Sequence, residues 1–135
     1  MAGTITEALT SGRPPVKIIT LTCTADSSDG SFPATALTNI PHSGVGGRLL
    51  QIATDPGSTA PQANYDIAVT EAGGADLLLG VGANRHTSSS EVAVIESNGA
   101  HGAVYAGTDT LTIAITNNNV NSAGITIKIY YTEGV

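Results

Sequence analysis

Alternation of apolar and polar residues near the end of the chain restricts the possible folds more than any other feature. It occurs in two runs, residues 111–116 and 125–132, rich in Ile and Thr. Successive side chains of a strand point to opposite faces, so each run predicts a strand with one apolar and one polar face. We expect the two strands to form an antiparallel hairpin across residues 117–124, burying Leu111, Ile113, Ile115, Ile125, Ile127 and Ile129.

The polar face of these two runs is a candidate contact surface. It carries Thr126, Lys128 and Tyr130, together with Thr112 and Thr132, and is nearly neutral. Aromatic residues are enriched where subunits meet, so Tyr130 is a candidate anchor, although an exposed tyrosine without a role fits the pattern equally well. We expect this face, or the sheet edge beside it, to hold an oligomer together.

The rest of the chain shows the same preference for strands. Alternation or short apolar runs predict strands over residues 16–25, 48–54, 65–71 and 91–96, and Pro33 marks residues 32–37 as a short edge strand. Residues 76–80 fit either a strand or one helical turn, and residues 97–107 look mostly like loop. The sequence therefore predicts an all-β fold, a single-domain antiparallel β-sandwich or barrel of about seven or eight short strands.

The first fifteen residues show no sustained periodicity and end in Arg13, Pro14 and Pro15. Proline lacks a backbone donor and restrains the preceding residue to extended geometry. Residues 1–15 are therefore predicted to be an extended N-terminal arm, either frayed or docked, and residues 16–135 the β-domain. We expect the arm to become ordered only in an assembly, where Arg13, Pro14 and Pro15 would contact a neighbouring subunit or a shell.

Charge and composition argue against several partners. Only 12% of the residues are charged and the net charge is −6, with five scattered basic residues. No basic cluster could neutralise a row of phosphates, so neither nucleic acid nor an anionic membrane is an expected partner. The N-terminus lacks the features of a secretory signal, and a single cysteine, Cys23, allows no internal disulfide. Synthesis and assembly in the cytoplasm fit these features.

No motif in the chain indicates catalysis or a cofactor. His42, His86 and His101 lie in polar loops without metal-ligand spacing, and residues 26–30 lack the glutamate that a calcium loop needs. The serines at 88–90 have no nucleophile-elbow sequence, residues 80–84 form an isolated Gly-x-Gly, and Cys23 lies on an apolar strand face. We therefore expect no catalytic residue, no cofactor, no metal and no enzymatic activity.

Several segments resemble one family. Residues 65–70, 74–78, 82–85, 110–113 and 124–131 resemble small virion structural proteins of tailed bacteriophages, over roughly residues 49–132. The resemblance implies a β-rich capsid decoration (cement) protein, often a homotrimer, that binds the major capsid protein on the outside of the head. It places the chain in the virion, assembled in the host cytoplasm.

Two other functions stay open at this point. One is a tail, neck or host-binding component of the virion. The other is a small bacterial carbohydrate-binding or hydrolase module. The scarcity of aromatic residues, five in all, argues against sugar binding, and the lack of an acid–base pair argues against hydrolysis.

Overall fold

A computed structural model describes residues 1–11, 16–40 and 44–134. Within these ranges the protein is all-β, as the sequence predicts, with eleven strands and no helix. Eight of the strands have three residues or more, which agrees with the predicted number. The strands are β1 (Thr4–Ser11), β2 (Lys17–Thr24), β3 (Thr35–Ala36), β4 (Gly47–Pro56), β5 (Asp66–Thr70), β6 (Glu91–Val94), β7 (Glu96–Ser97), β8 (Ala100–His101), β9 (Ala103–Tyr105), β10 (Thr112–Thr116) and β11 (Gly124–Glu133).

The strands form two main sheets around one core. The large sheet has the order β1-β2-β11-β4-β6, with β9 also paired to β4, and the small sheet has the order β3-β10-β5. The strand pairings within both sheets are antiparallel, and β7 and β8 form a separate hairpin. Alternate side chains of both sheets meet in a single buried cluster, which gives the domain a sandwich-like form; its members include Ile19, Leu21, Ile52, Ile67, Val69, Ile113, Ile115, Ile127 and Ile129.

The two alternating runs at the end of the chain are strands, but the predicted hairpin between them is wrong. β10 pairs with β3 and β5 in the small sheet, whereas β11 pairs with β2 and β4 in the large one. The apolar face of each run is buried as expected. Alternation specifies which face a strand buries, but it does not specify the neighbour. Residues 117–123 therefore cross between the sheets instead of reversing the chain within one.

The N-terminal residues belong to the large sheet. The prediction for residues 1–15 is an extended arm, frayed or docked, ahead of the domain; instead β1 pairs with β2 from Thr4 opposite Thr24 to Ser11 opposite Ile18. The weak alternation of Ile5, Glu7 and Leu9 places these three on the core side of the sheet. The proposed contact residues Arg13, Pro14 and Pro15 lie outside the described residues.

Polar turns close the ends of the sandwich. Asp26 accepts hydrogen bonds from the backbone N–H and hydroxyl of Ser28, and Asp29 accepts from the backbone N–H of Ser31, so these carboxylates form Asx turns. Asp76 forms an isolated bridge with Thr70 and residues 77–80 form turns, with Leu77 and Leu78 buried. Residues 97–107, predicted to be mostly loop, contain β8 and β9. His101 therefore lies in a short strand, β8, and not in a loop.

Candidate interaction surface

The side of the large sheet that faces away from the core is a broad, weakly charged surface. Strand register brings its residues into rows: Thr126 lies opposite Thr22 and Asp55, Lys128 opposite Thr20 and Ala53, and Tyr130 opposite Ile18 and Gln51. β6 and β9 extend these rows. We call this surface the outer face, and its members are Ile18, Thr20, Thr22, Arg48, Gln51, Ala53, Asp55, Val92, Val94, Val104, Thr126, Lys128 and Tyr130.

The three contact residues predicted from β11 meet in one groove on the outer face. The groove has a volume of about 280 Å³. Tyr130 is half-buried and Lys128 is exposed. The lining residues are Ala53, Thr54, Asp55, Ser90, Glu91, Val92, Thr126, Lys128 and Tyr130. A shallow site with an aromatic ring, an ammonium group and hydroxyls suits a protein side chain as its occupant.

Exposed valines continue the groove toward one edge of the sheet. Val92, Val94 and Val104 are 61%, 43% and 57% exposed. Val92 lies opposite Ala53, Val94 opposite Gln51, and Val104 opposite Arg48, so all three share the outer face. Single exposed apolar residues are ordinary, but a row of β-branched side chains beside a groove is typical of a surface that another protein covers.

The electrostatics of the outer face differ from those of the whole chain. Lys17 pairs with Glu133 at 3.1 Å and Arg85 with Glu91 at 3.6 Å. The other two basic residues of the described ranges, Arg48 and Lys128, form no ion pair there, and both lie on the outer face. Two carboxylates lie at this face: Asp55, which accepts a hydrogen bond from Ser90 Oγ at 2.9 Å, and Glu91 in the groove, whose charge Arg85 offsets. The outer face therefore carries a small positive charge in a chain of net charge −6.

Two hydroxyl groups lie buried behind the groove. Thr54 Oγ1 and Tyr65 Oη have no hydrogen-bond partner within the part of the chain that the structure describes. Burial raises the pKa of Tyr65, and the neighbouring Thr54 hydroxyl and Arg85 offset part of that rise. Both hydroxyls are therefore neutral at pH 7. Thr54 lines the groove, whereas Tyr65 lies behind it in the core.

His86 and Cys23 have structural roles, and His42 lies outside the described residues. His86 Nδ1 accepts hydrogen bonds from the backbone N–H groups of Ser88 and Ser89, at 3.0 and 2.9 Å, so it caps its own loop. Cys23 is buried, and burial raises the pKa of its thiol to about 12, far from that of a reactive thiolate. Over residues 1–11, 16–40 and 44–134, no group of three potential metal ligands comes together.

The structure separates one predicted contact residue from the others. Thr112 lies in β10 of the small sheet, so it does not share a surface with Thr126, Lys128 and Tyr130. The expectation that β11 forms a sheet edge is also wrong, since β2 and β4 cover both of its sides. Sequence reasoning missed Val92, Val94 and Val104. Val92 and Val94 stand at alternate positions of a predicted strand, which is a signal, whereas nothing around Val104 marks it.

Comparisons with known proteins give little beyond this geometry. No protein-family model matches the chain, and no curated protein matches it. No helix among the described residues has the length and apolar character needed to cross a membrane. Among solved structures, the chain is similar to one from the cyanophage Pam1 capsid asymmetric unit, with 17% identity and a TM-score of 0.33, covering 97% of this chain and 86% of that chain.

Proposed function

We propose that the protein is a non-enzymatic virion structural protein of a tailed bacteriophage, a head decoration protein that binds the outer capsid lattice as an oligomer and stabilises it. The resemblance of residues 49–132 to such proteins supports the assignment to virions. The observation that carries a binding role is the outer face, where the groove, the exposed valines and two unpaired cations lie side by side. These features suit a protein partner.

The partner that fits this face is the major capsid protein, through a surface that offers apolar side chains and carboxylates. Val92, Val94 and Val104 would supply the apolar centre, and Arg48 and Lys128 the complementary charge. Thr126 and Tyr130 would form the contact beside Lys128. Many copies bound to one shell add avidity, so each contact can be weak.

Location on the virion tests the assignment. Gold-labelled antibody against the chain, applied to intact virions in negative stain, should decorate the faces of the head. Label confined to the tail, the neck or the portal vertex would contradict decoration and favour the alternative of a tail or host-binding component.

A matched pair of variants tests the outer face. Val94→Asp should reduce binding to undecorated heads in co-sedimentation, because it buries a carboxylate in the apolar centre of the contact. Ala36→Asp places the same charge on an exposed position of the small sheet and should bind as the unchanged protein does. Equal binding by the two variants would exclude the outer face as the docking surface.

A further inference from the structure

β1 leaves one long sheet edge uncovered. It pairs over Thr4–Ser11 with β2 alone, and no other strand of the described ranges pairs with its second side. An uncovered edge offers a row of backbone N–H and C=O groups to any extended chain that approaches it. The opposite edge differs, since β6 and β9 occupy it as pieces of four and three residues with the β7–β8 hairpin between them.

The β1 edge lacks most of the features that protect exposed strands. Such strands commonly carry outward charges, proline or strong irregularity. β1 has no proline and no lysine, and its irregularity is one register shift between Leu9 and Ser11. Its single charged residue, Glu7, is turned to the core side, where its carboxylate accepts hydrogen bonds from the backbone N–H groups of Thr38 and Asn39, at 2.7 and 2.8 Å.

We infer that β1 pairs antiparallel with β1 of a second copy across a two-fold axis. Two molecules of net charge −6 repel each other, so a contact between identical copies needs a surface without free carboxylates. The β1 edge is such a surface, because its outward side chains are Thr4, Thr6, Ala8 and Thr10. Pairs of threonine across neighbouring strands are favourable. The large sheets of the two copies would then join into one.

Charge also selects the register of this pairing. Side chains on the same face must lie opposite each other, so the axis passes through a residue. An axis at Glu7 would set two carboxylates directly opposite, which is unfavourable. An axis at Thr6 sets Glu7 opposite Ile5 of the second copy and aligns residues 1–11 along their full length. The proposed contact therefore centres on Thr6.

Disulfide trapping tests this register, since the native Cys23 is buried and gives little background. Under a mild thiol–disulfide buffer, Thr6→Cys should form a covalent dimer of twice 13.5 kDa on a non-reducing denaturing gel. Thr4→Cys is also exposed but lies opposite Ala8 of the second copy, so it should form at least several-fold less covalent dimer. Comparable amounts from both variants, or none from Thr6→Cys at millimolar concentration, would overturn the inference, and so would preferential trapping of Ala8→Cys.

A second measurement needs no cysteine. Thr6→Asp puts two carboxylates opposite each other and should lower the weight-average mass in sedimentation equilibrium relative to the unchanged protein. Thr24→Asp places the same charge on an exposed position of β2 and should leave the mass unchanged. Equal masses for the unchanged protein and both variants would contradict the two-fold contact. Neither experiment uses capsids, so their outcome is independent of the proposed virion role.

Discussion

Asn118 shows how much of the sandwich depends on one polar side chain. Its amide nitrogen donates to the carbonyl oxygens of Gly30 and Val120, and its Oδ1 accepts from the backbone N–H of Gln62 at 2.8 Å. These partners belong to three separate loops at one end of the domain. The side chain therefore closes the end where the chain crosses from β10 to β11.

Asn118→Ala should destabilise the protein by about 2–4 kcal/mol, because it leaves several half-buried backbone groups without partners. Urea unfolding followed by circular dichroism would measure the change. Asn119→Ala is the matched control, since the structure shows a hydrogen bond from the backbone N–H of Asn119 and none from its side chain to a described residue. A loss of stability as large in the control as in Asn118→Ala would contradict this role.

At the scale of single elements, β1 depends on Glu7 for its attachment to the body of the domain. Apart from its pairing with β2, the strand is attached to the loop after β3 through the Glu7 carboxylate. This carboxylate accepts three hydrogen bonds from Thr38 and Asn39. Ile5 is half-buried against the core and Leu9 is 47% exposed. The apolar contribution of this strand is therefore small.

Glu7→Ala should release β1 before the rest of the sheet unfolds. We expect amide hydrogen exchange in residues 4–11 to accelerate at least tenfold, because bonds to a carboxylate are worth about 1.5–3 kcal/mol. Exchange in β11 should change much less. Thr24→Ala, at an exposed position of the neighbouring β2, serves as the control. Unchanged exchange in β1 of Glu7→Ala would show that strand pairing alone holds it.

Elements of this fold differ in how far the sequence predicts them. Alternation identifies β2, β5, β10 and β11 and their buried faces, because burial of one face acts on every second residue. The pairing of β11 with β2 and β4, rather than with β10, is not encoded locally, since it joins residues far apart in the chain. The sequence predicts one wall of the groove, because Thr126, Lys128 and Tyr130 come from a single strand. The other wall depends on the pairing of β11 with β4, which the sequence does not predict.

At the scale of the whole molecule, the buried phenols and the thiol restrict stability at high pH. Burial raises the pKa of Tyr131 and of the Cys23 thiol to about 12 and raises that of Tyr105 and Tyr65. In the unfolded chain the pKa is about 8.5 for cysteine and about 10 for tyrosine. At pH values between the unfolded and the folded pKa, the unfolded state has lost protons that the folded state still binds, so a rise in pH favours unfolding.

Stability should therefore be constant up to about pH 8 and fall as the pH rises from about 9 to about 12. Each group that ionises only on unfolding contributes a slope of about 1.4 kcal/mol per pH unit. Urea midpoints at about pH 7, 9, 10 and 11 would measure the fall, and in Tyr130→Phe, which keeps only the three buried phenols, tyrosinate absorbance should rise together with unfolding. A midpoint that stays constant to about pH 11, or phenol ionisation well before unfolding, would contradict this prediction.

The central position of β11 also bears on how the protein is made. Ribosomes deliver residues in chain order, so β2 and β4 are synthesised long before the strand that lies between them. Until residues 124–133 leave the exit tunnel, both strands lack a neighbour on that side, and their apolar faces lack a finished core. The nascent chain must stay incompletely folded until β11 has been synthesised. Chaperones that bind extended apolar segments would meet it at this stage, and a nonsense mutation ahead of β11 would yield a product without the middle of its large sheet.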